Sequence, residues 1–192
     1  MAVSTKHDSA VDVIDAILED HRRIKELMSE VDAAPPDGRD EPFQRLVAML
    51  AVHETAEEEV VHPLARKASG GDAIVEARLA EEAKGKEALA RLEKTGPQRA
   101  DFDELFEQLR DDVLAHAEHE ETEEHPKLRE ATDAQRRRDL TRIFRAAEST
   151  APTHGHAHAP ESATGNMLVG PFVAIADRAR DAIRKARDGG DD

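Results

Sequence analysis

The chain has 192 residues, 42 acidic against 27 basic, for a net charge of −15, and it contains no cysteine, tyrosine or tryptophan. That length suits one domain with its own core and a small appendage, and the 3% aromatic content beside much Ala, Leu, Glu and Arg favours helices over a β-sandwich or barrel. Lack of cysteine excludes disulfides, thiolate metal sites, iron–sulfur clusters and thiol nucleophiles, and the acidity argues against nucleic acid or an anionic membrane as partner.

The opening Met1-Ala2-Val3-Ser4-Thr5-Lys6-His7-Asp8 lacks the apolar run of a secretion signal. No apolar stretch approaches the ~20 residues that span a bilayer, so a cytoplasmic protein is expected. Breakers at Pro35-Pro36-Asp37-Gly38, Gly70-Gly71 and Thr95-Gly96-Pro97 separate four long helical segments. In the first, Ile14, Ile17, His21, Ile24, Met28 and Val31 step by three and four. The second carries Phe43, Leu46, Leu50, His53, Glu57, Val60 and Leu64, and the fourth Phe102, Phe106, Leu109, Val113, His116 and Glu120. The third is weaker: one seam runs through Val75, Leu79, Glu82, Lys86 and Leu89, another through Leu79, Ala83, Lys86 and Ala90.

Such seams, joined by short connections, predict an all-α, up-down-up-down four-helix bundle with a short C-terminal extension of one or two helices. The expected domains are a bundle with a short following helix over 1–149, a His/Pro/Gly-rich linker over 150–171, and an amphipathic helix with an acidic tail over 172–192. The following helix runs from about Asp133 to Glu148. The last presents Phe172, Ile175, Ala176, Ala179 and Ile183 on one side, to close the bundle end or to make a dimer contact.

Polar residues interrupt the seams where Leu or Ile belongs. His53 and Glu57, like His116 and Glu120, are four apart and project from one helix face; His21 stands at the equivalent depth of the first segment. A carboxylate taken alone out of water costs several kcal/mol, and a divalent or trivalent cation removes that penalty, since imidazole and carboxylate are both good ligands. Metal-free alternatives are a hydrogen-bonded core histidine and a solvated seam carboxylate. The pattern also repeats: His53-Glu54-Thr55-Ala56-Glu57-Glu58 matches His116-Ala117-Glu118-His119-Glu120-Glu121 at an offset of 63 residues, and Asp20-His21 falls beside Glu82-Ala83 at a similar one. The chain reads as one helix hairpin used twice around a shared site.

The Asp20-His21-Arg22-Arg23-Ile24-Lys25-Glu26-Leu27 start, the His53-to-Pro63 run and the second His-x-x-x-Glu run resemble the hemerythrin-like family, also called the HHE cation-binding domain, over about residues 10 to 130. The resemblance implies a four-helix bundle with a non-heme di-iron centre, with His21 and His53 on one iron, His116 on the other, and Glu57 and Glu120 bridging. The family's third-helix histidine is missing at Ala83. Glu82 or His119 could replace it, or the second metal could be weak or absent; Glu54 could also reach a metal, though one residue turns it about 100° from His53. Fe, Mn and Zn all suit mixed N/O donors.

His62 and His125 lie nine residues beyond His53 and His116, half a turn out of phase, and read as surface or packing residues. His154, His156 and His158 read as a loop with weak metal affinity, and Glu58-Glu59 as solvated face. The expected function is binding or sensing of O₂, peroxide or nitric oxide by a monomer or homodimer. Alternatives are a peroxide-decomposing di-iron enzyme and a metal-free helical interaction protein. His53-Glu54-x-x-Glu57 fails the zincin pattern, having Glu where that motif needs its second His.

Overall fold

The computed structural model describes residues 11–149 and 171–189; the run His154, His156, His158 and the side chain of Phe172 lie outside what is described. Helix α1 spans Val13–Ala33 and starts where the Asp12 carboxylate accepts from the Ile14 amide at 3.1 Å, a side-chain cap on an otherwise orphaned N–H. Pro35 and Pro36 stop its continuation. Helix α2, Asp40–Ala56, runs through a π turn at Glu57–Val61 into the single-turn α3, His62–Ala65.

The reversal into α4, Gly71–Thr95, needs two glycines: Gly70 has φ +75°, and a Cβ on Gly71 would sit 2.0 Å from the Ala65 carbonyl oxygen. Gly96, at φ +83°, ends α4. Helix α5, Phe102–His119, passes through a second π turn at Glu120–Glu124 into α6, His125–Ala131. Helix α7, Ala134–Glu148, is capped by Asp133, and α8 spans Pro171–Asp188.

The result is the expected up-down-up-down bundle, in which α1, α2–α3, α4 and α5–α6 are the four rods. Helix α8 lies along α2 and α7, burying Ile175, Ala176, Ala179 and Ile183 in the core that they share. It is therefore part of the fold rather than a cap on the bundle end. Among the described residues, no helix is long and apolar enough to cross a membrane.

Two apolar clusters fill the interior. One gathers Ile14, Ile17, Ala56, Val60, Leu128, Phe144 and Ile183; the other gathers Ile24, Met28, Phe43, Leu50, Leu89, Phe102 and Leu109. On α1 the division falls between Ile17 and Ile24; on α2 it falls between faces, with Ala48, Ala51 and Val52 in the first cluster and Leu46, Val47 and Leu50 in the second. His21 occupies the gap on α1 and His53 follows the last α2 residue of the second cluster, so the polar seam residues form a belt beside that cluster.

Helix α4 resolves its rotation in favour of the first seam. Val75, Arg78, Glu82, Leu89 and Leu92 are buried, whereas Ala83 and Ala90 are exposed.

Candidate metal centre

Four rods deliver buried donors to the belt. His21 from α1, His53 from α2, Glu57 from the first π turn and Glu120 from the second have donor atoms within 4.8 Å of one another. Glu54 from α2, Glu82 from α4 and His116 from α5 form a second such group. All seven are at most 7% exposed. The five residues singled out by seam position come together, and Glu54 and Glu82 join them.

Glu120 stands between the two groups. Its Oε2 is 3.2 Å from His21 Nε2 and its Oε1 is 3.1 Å from His116 Nε2. Those rings are not aligned to donate to it, and none of these four buried atoms has a hydrogen bond; Glu57 Oε2 and Glu54 Oε2 share that condition. Buried polar atoms are nearly always partnered, and an unpaired buried charge is strongly destabilising. Imidazole nitrogens and carboxylate oxygens that face each other without satisfying each other fit a cation as the absent partner.

Carboxylates lie at the outer nitrogens of the rings and hydrogen-bond those of His21 and His116, whereas His53 Nδ1 and Asp20 Oδ2 face each other without a hydrogen bond. His21 Nδ1 lies 2.9 Å from Glu121 Oε1, His116 Nδ1 3.0 Å from Glu81 Oε2, and His53 Nδ1 3.5 Å from Asp20 Oδ2. Such hydrogen bonds fix ring orientation and leave Nε2 turned inward, as the outer partners of metal-bound imidazoles do. Each of these carboxylates is the sequence neighbour of an inward donor: Asp20 of His21, Glu81 of Glu82, Glu121 of Glu120. An acidic residue beside a seam donor was the readable signal for them.

Burial and mutual repulsion set the proton affinities. Burial, then Glu120 and Glu54, push Glu57 well above the ordinary carboxylate range. Burial and the nearby Glu82 raise Glu54 to about 8, and burial lowers His53 to about 3. Burial opposes the charge on Glu82 and His116, but partners prevail. His62 and Lys86 hold Glu82 at about 2, and Glu120 and Glu54 lift His116 to about 10.

His62 and His125 are buried, against the surface alternative raised by their spacing. Nine residues of pure α-helix would place them half a turn from His53 and His116. Each π turn inserts about one extra residue and winds the downstream helix back by about 100°. His62 Nδ1 thus reaches Glu124 Oε1 at 2.7 Å and its Nε2 reaches Glu82 Oε1 at 2.6 Å, while the His125 ring stacks on His21 at 6.2 Å. His119 stays partly exposed and shares Glu81 with His116 at 2.9 Å, outside both donor groups. Glu58 and Glu59 also depart from the solvated reading: Arg180 of α8 lies 3.5 Å from Glu58, and Arg187 lies 3.5 Å from Glu59.

A helical bundle with a buried His/carboxylate belt defines a metal-binding helical protein. The model of the hemerythrin HHE cation binding domain matches residues 12–128, and the chain belongs to that family. An uncharacterized hemerythrin-like protein of Schizosaccharomyces pombe is 26% identical over 176 residues, covering 90% of this chain and 87% of that protein. A DNA nickase of Nostoc sp. is 28% identical over 148 residues, which span 76% of this chain but only 41% of the nickase. The crystal structure of a hemerythrin HHE cation binding domain-containing protein from Mycobacterium kansasii superposes with a TM-score of 0.65 at 19% identity, covering 92% of this chain and 99% of that one. That likeness is one of fold.

Proposed function

We propose that the chain is a non-heme iron protein with two ions per bundle, binding or sensing a small molecule of the O₂, nitric oxide or peroxide class. The observation that carries this reading is the doubled donor set with Glu120 between its halves. His21, His53 and Glu57 would serve one ion, Glu54, Glu82 and His116 the other, and Glu120 both. Glu82 and Glu54 then take the place of the third-helix histidine, and Ala83 faces outward. Glu57 is the second candidate bridge by family resemblance. When bound, a carboxylate-bridged iron pair supplies an open coordination position and reversible one- or two-electron chemistry.

The protein's own residues do the rest. Glu121 and Glu81 orient the His21 and His116 rings. Ile24, Leu50 and Val113 wall a void of ≈ 10 Å³ beside His21, His53, Glu54, His116 and Glu120, space for about one water-sized group. A net charge of −15 disfavours a polyanion such as DNA as this chain's ligand.

Elemental analysis of protein purified without added metal, with a near-ultraviolet and visible spectrum, tests the metal. We expect iron and a reversible, stoichiometric spectral change with O₂ or nitric oxide. Oxygen evolution from peroxide at a rate that tracks bound iron would make the centre a peroxide-decomposing enzyme instead. Metal-free protein with no affinity for added iron would overturn both readings.

A further inference from the structure

The buried seam of α4 steps by three and four through Val75, Arg78, Glu82, Gly85, Leu89 and Leu92, and Gly85 alone brings no side chain to it. Nothing local requires glycine there. Its φ is not positive, and a Cβ built on it would meet no atom within 4 Å. Glycine inside a helix is otherwise a weakening choice. The missing side chain opens a cavity of ≈ 20 Å³ whose walls include Leu50, Glu54, Glu82, Gly85, Lys86 and Leu89. Two of these walls are donors of the second ion position. Glu54, 93% buried, keeps its Oε2 without a hydrogen-bond partner. Lys86 supplies the cavity's side-chain N–H donor; its ammonium lies 2.9 Å from Glu82 Oε2 and also contacts Glu58.

We propose that this cavity is a second exogenous-ligand position. It lies on the Glu54/Glu82 side of the centre, opens at Gly85, and takes a small anion or polar molecule with Lys86 as hydrogen-bond donor. The inference rests on the metal-centre reading. The cavity adjoins the void beside His21, His53 and His116, sharing Leu50, Glu54 and Val113 with it, and differs from it in having Glu82, Gly85 and Lys86 as walls where that void has Leu114 of α5. Three residue donors and one oxygen of Glu120 leave positions free of protein on an ion of octahedral preference, and the Gly85 gap is the space beside them. The ammonium matters because the surrounding carboxylates would otherwise repel an anion.

The test uses the full chain loaded with iron, titrated with azide and followed by visible spectrum, with metal content measured in parallel. Wild type should show two azide-binding components. Gly85→Leu, which fills the gap, should remove one while keeping its metal, and Leu114→Trp should remove the other. Gly85→Ala should keep both and melt at a higher temperature. Lys86→Met should weaken the component that Gly85→Leu removes, and it carries the test if the leucine variant loses metal. The inference is overturned if Gly85→Leu or Lys86→Met binds azide as wild type does. A single component, lost only in Leu114→Trp, overturns it while leaving the metal-centre reading intact. Failure of wild type to load iron overturns both.

Discussion

At the scale of single residues, the centre depends on donors that destabilise the fold when left alone. Glu57 and Glu120 are each 1% exposed and lack a full set of hydrogen bonds. If a cation holds them, Glu120→Gln and Glu57→Gln reduce metal content and lower the melting temperature of the loaded protein. If nothing holds them, removing buried charge raises that temperature. Thermal melts of the variants with parallel metal analysis distinguish the outcomes. The outer carboxylates act through the rings. Glu121→Gln leaves the ligand set intact and should weaken metal affinity about 10–100-fold, measured by competition with a chelator; unchanged affinity would remove Glu121 from its orienting role.

Much of this residue-level picture was legible in the sequence. His21, His53, Glu57, His116 and Glu120 announce themselves because a polar residue on an apolar seam needs a reason. Glu54 was harder, since one residue turns it away from His53; α2 runs between the two donor groups, so consecutive residues fall in different ones. The repeat held a clue, for Glu54 has Ala117 as its counterpart, marking the halves as unequal. Glu82, on a seam of α4, is with His119 a candidate replacement for the missing histidine, and the rotation of α4, which its weak apolar pattern leaves open, brings it into the donor group.

At the scale of elements, the two π turns do what α periodicity cannot foretell. Each begins at the glutamate of a His-x-x-x-Glu run, and each rotates the following histidine inward. His62 and Glu124 thereby tie the two hairpins together beneath the centre through Glu82. Helix α7 reaches the same centre from outside: Arg145 lies 3.7 Å from Asp20, which faces His53. Phe144 of α7, fully buried, stands edge-on to His53 at 6.5 Å. Phe144→Ala should cost about 3–5 kcal/mol by the cavity that it leaves, read from denaturant unfolding of the metal-free chain. A loss below about 1 kcal/mol would show that α7 is not part of the cooperative core. Gly85→Ala should have the opposite sign, gaining about 0.5–1 kcal/mol, because its new methyl group meets nothing.

At the scale of the whole molecule, the metal-free chain carries several protons that its unfolded form would release. Glu54 is raised to about 8, so its protonated form favours the fold, and this contribution is lost as pH rises from the unfolded value of 4.5 toward 8. His62 and His116, raised to about 10, contribute stability that is complete below 6.5 and lost as pH rises from there toward 10. His53, lowered to about 3, and His125, lowered to about 4, act the other way, but only below 6.5. Between pH 6.5 and 8 these terms share one direction, and the melting temperature of chelator-treated protein should fall as pH rises. Bound metal takes the place of those protons, so the loaded protein should hold or gain stability across the same window. A metal-free melt that rises with pH there would contradict the buried acid cluster. Burial, not net charge, gives these acids their need of a cation, since surface carboxylates are solvated by water.

The ratio of iron to chain, measured after loading and removal of loosely held metal, bears most directly on the doubled site. Two donor groups sharing Glu120 predict about two ions per wild-type chain, with a clear drop in Glu120→Gln. A wild-type ratio near zero, together with a Glu120→Gln variant that melts higher than its parent, would contradict it.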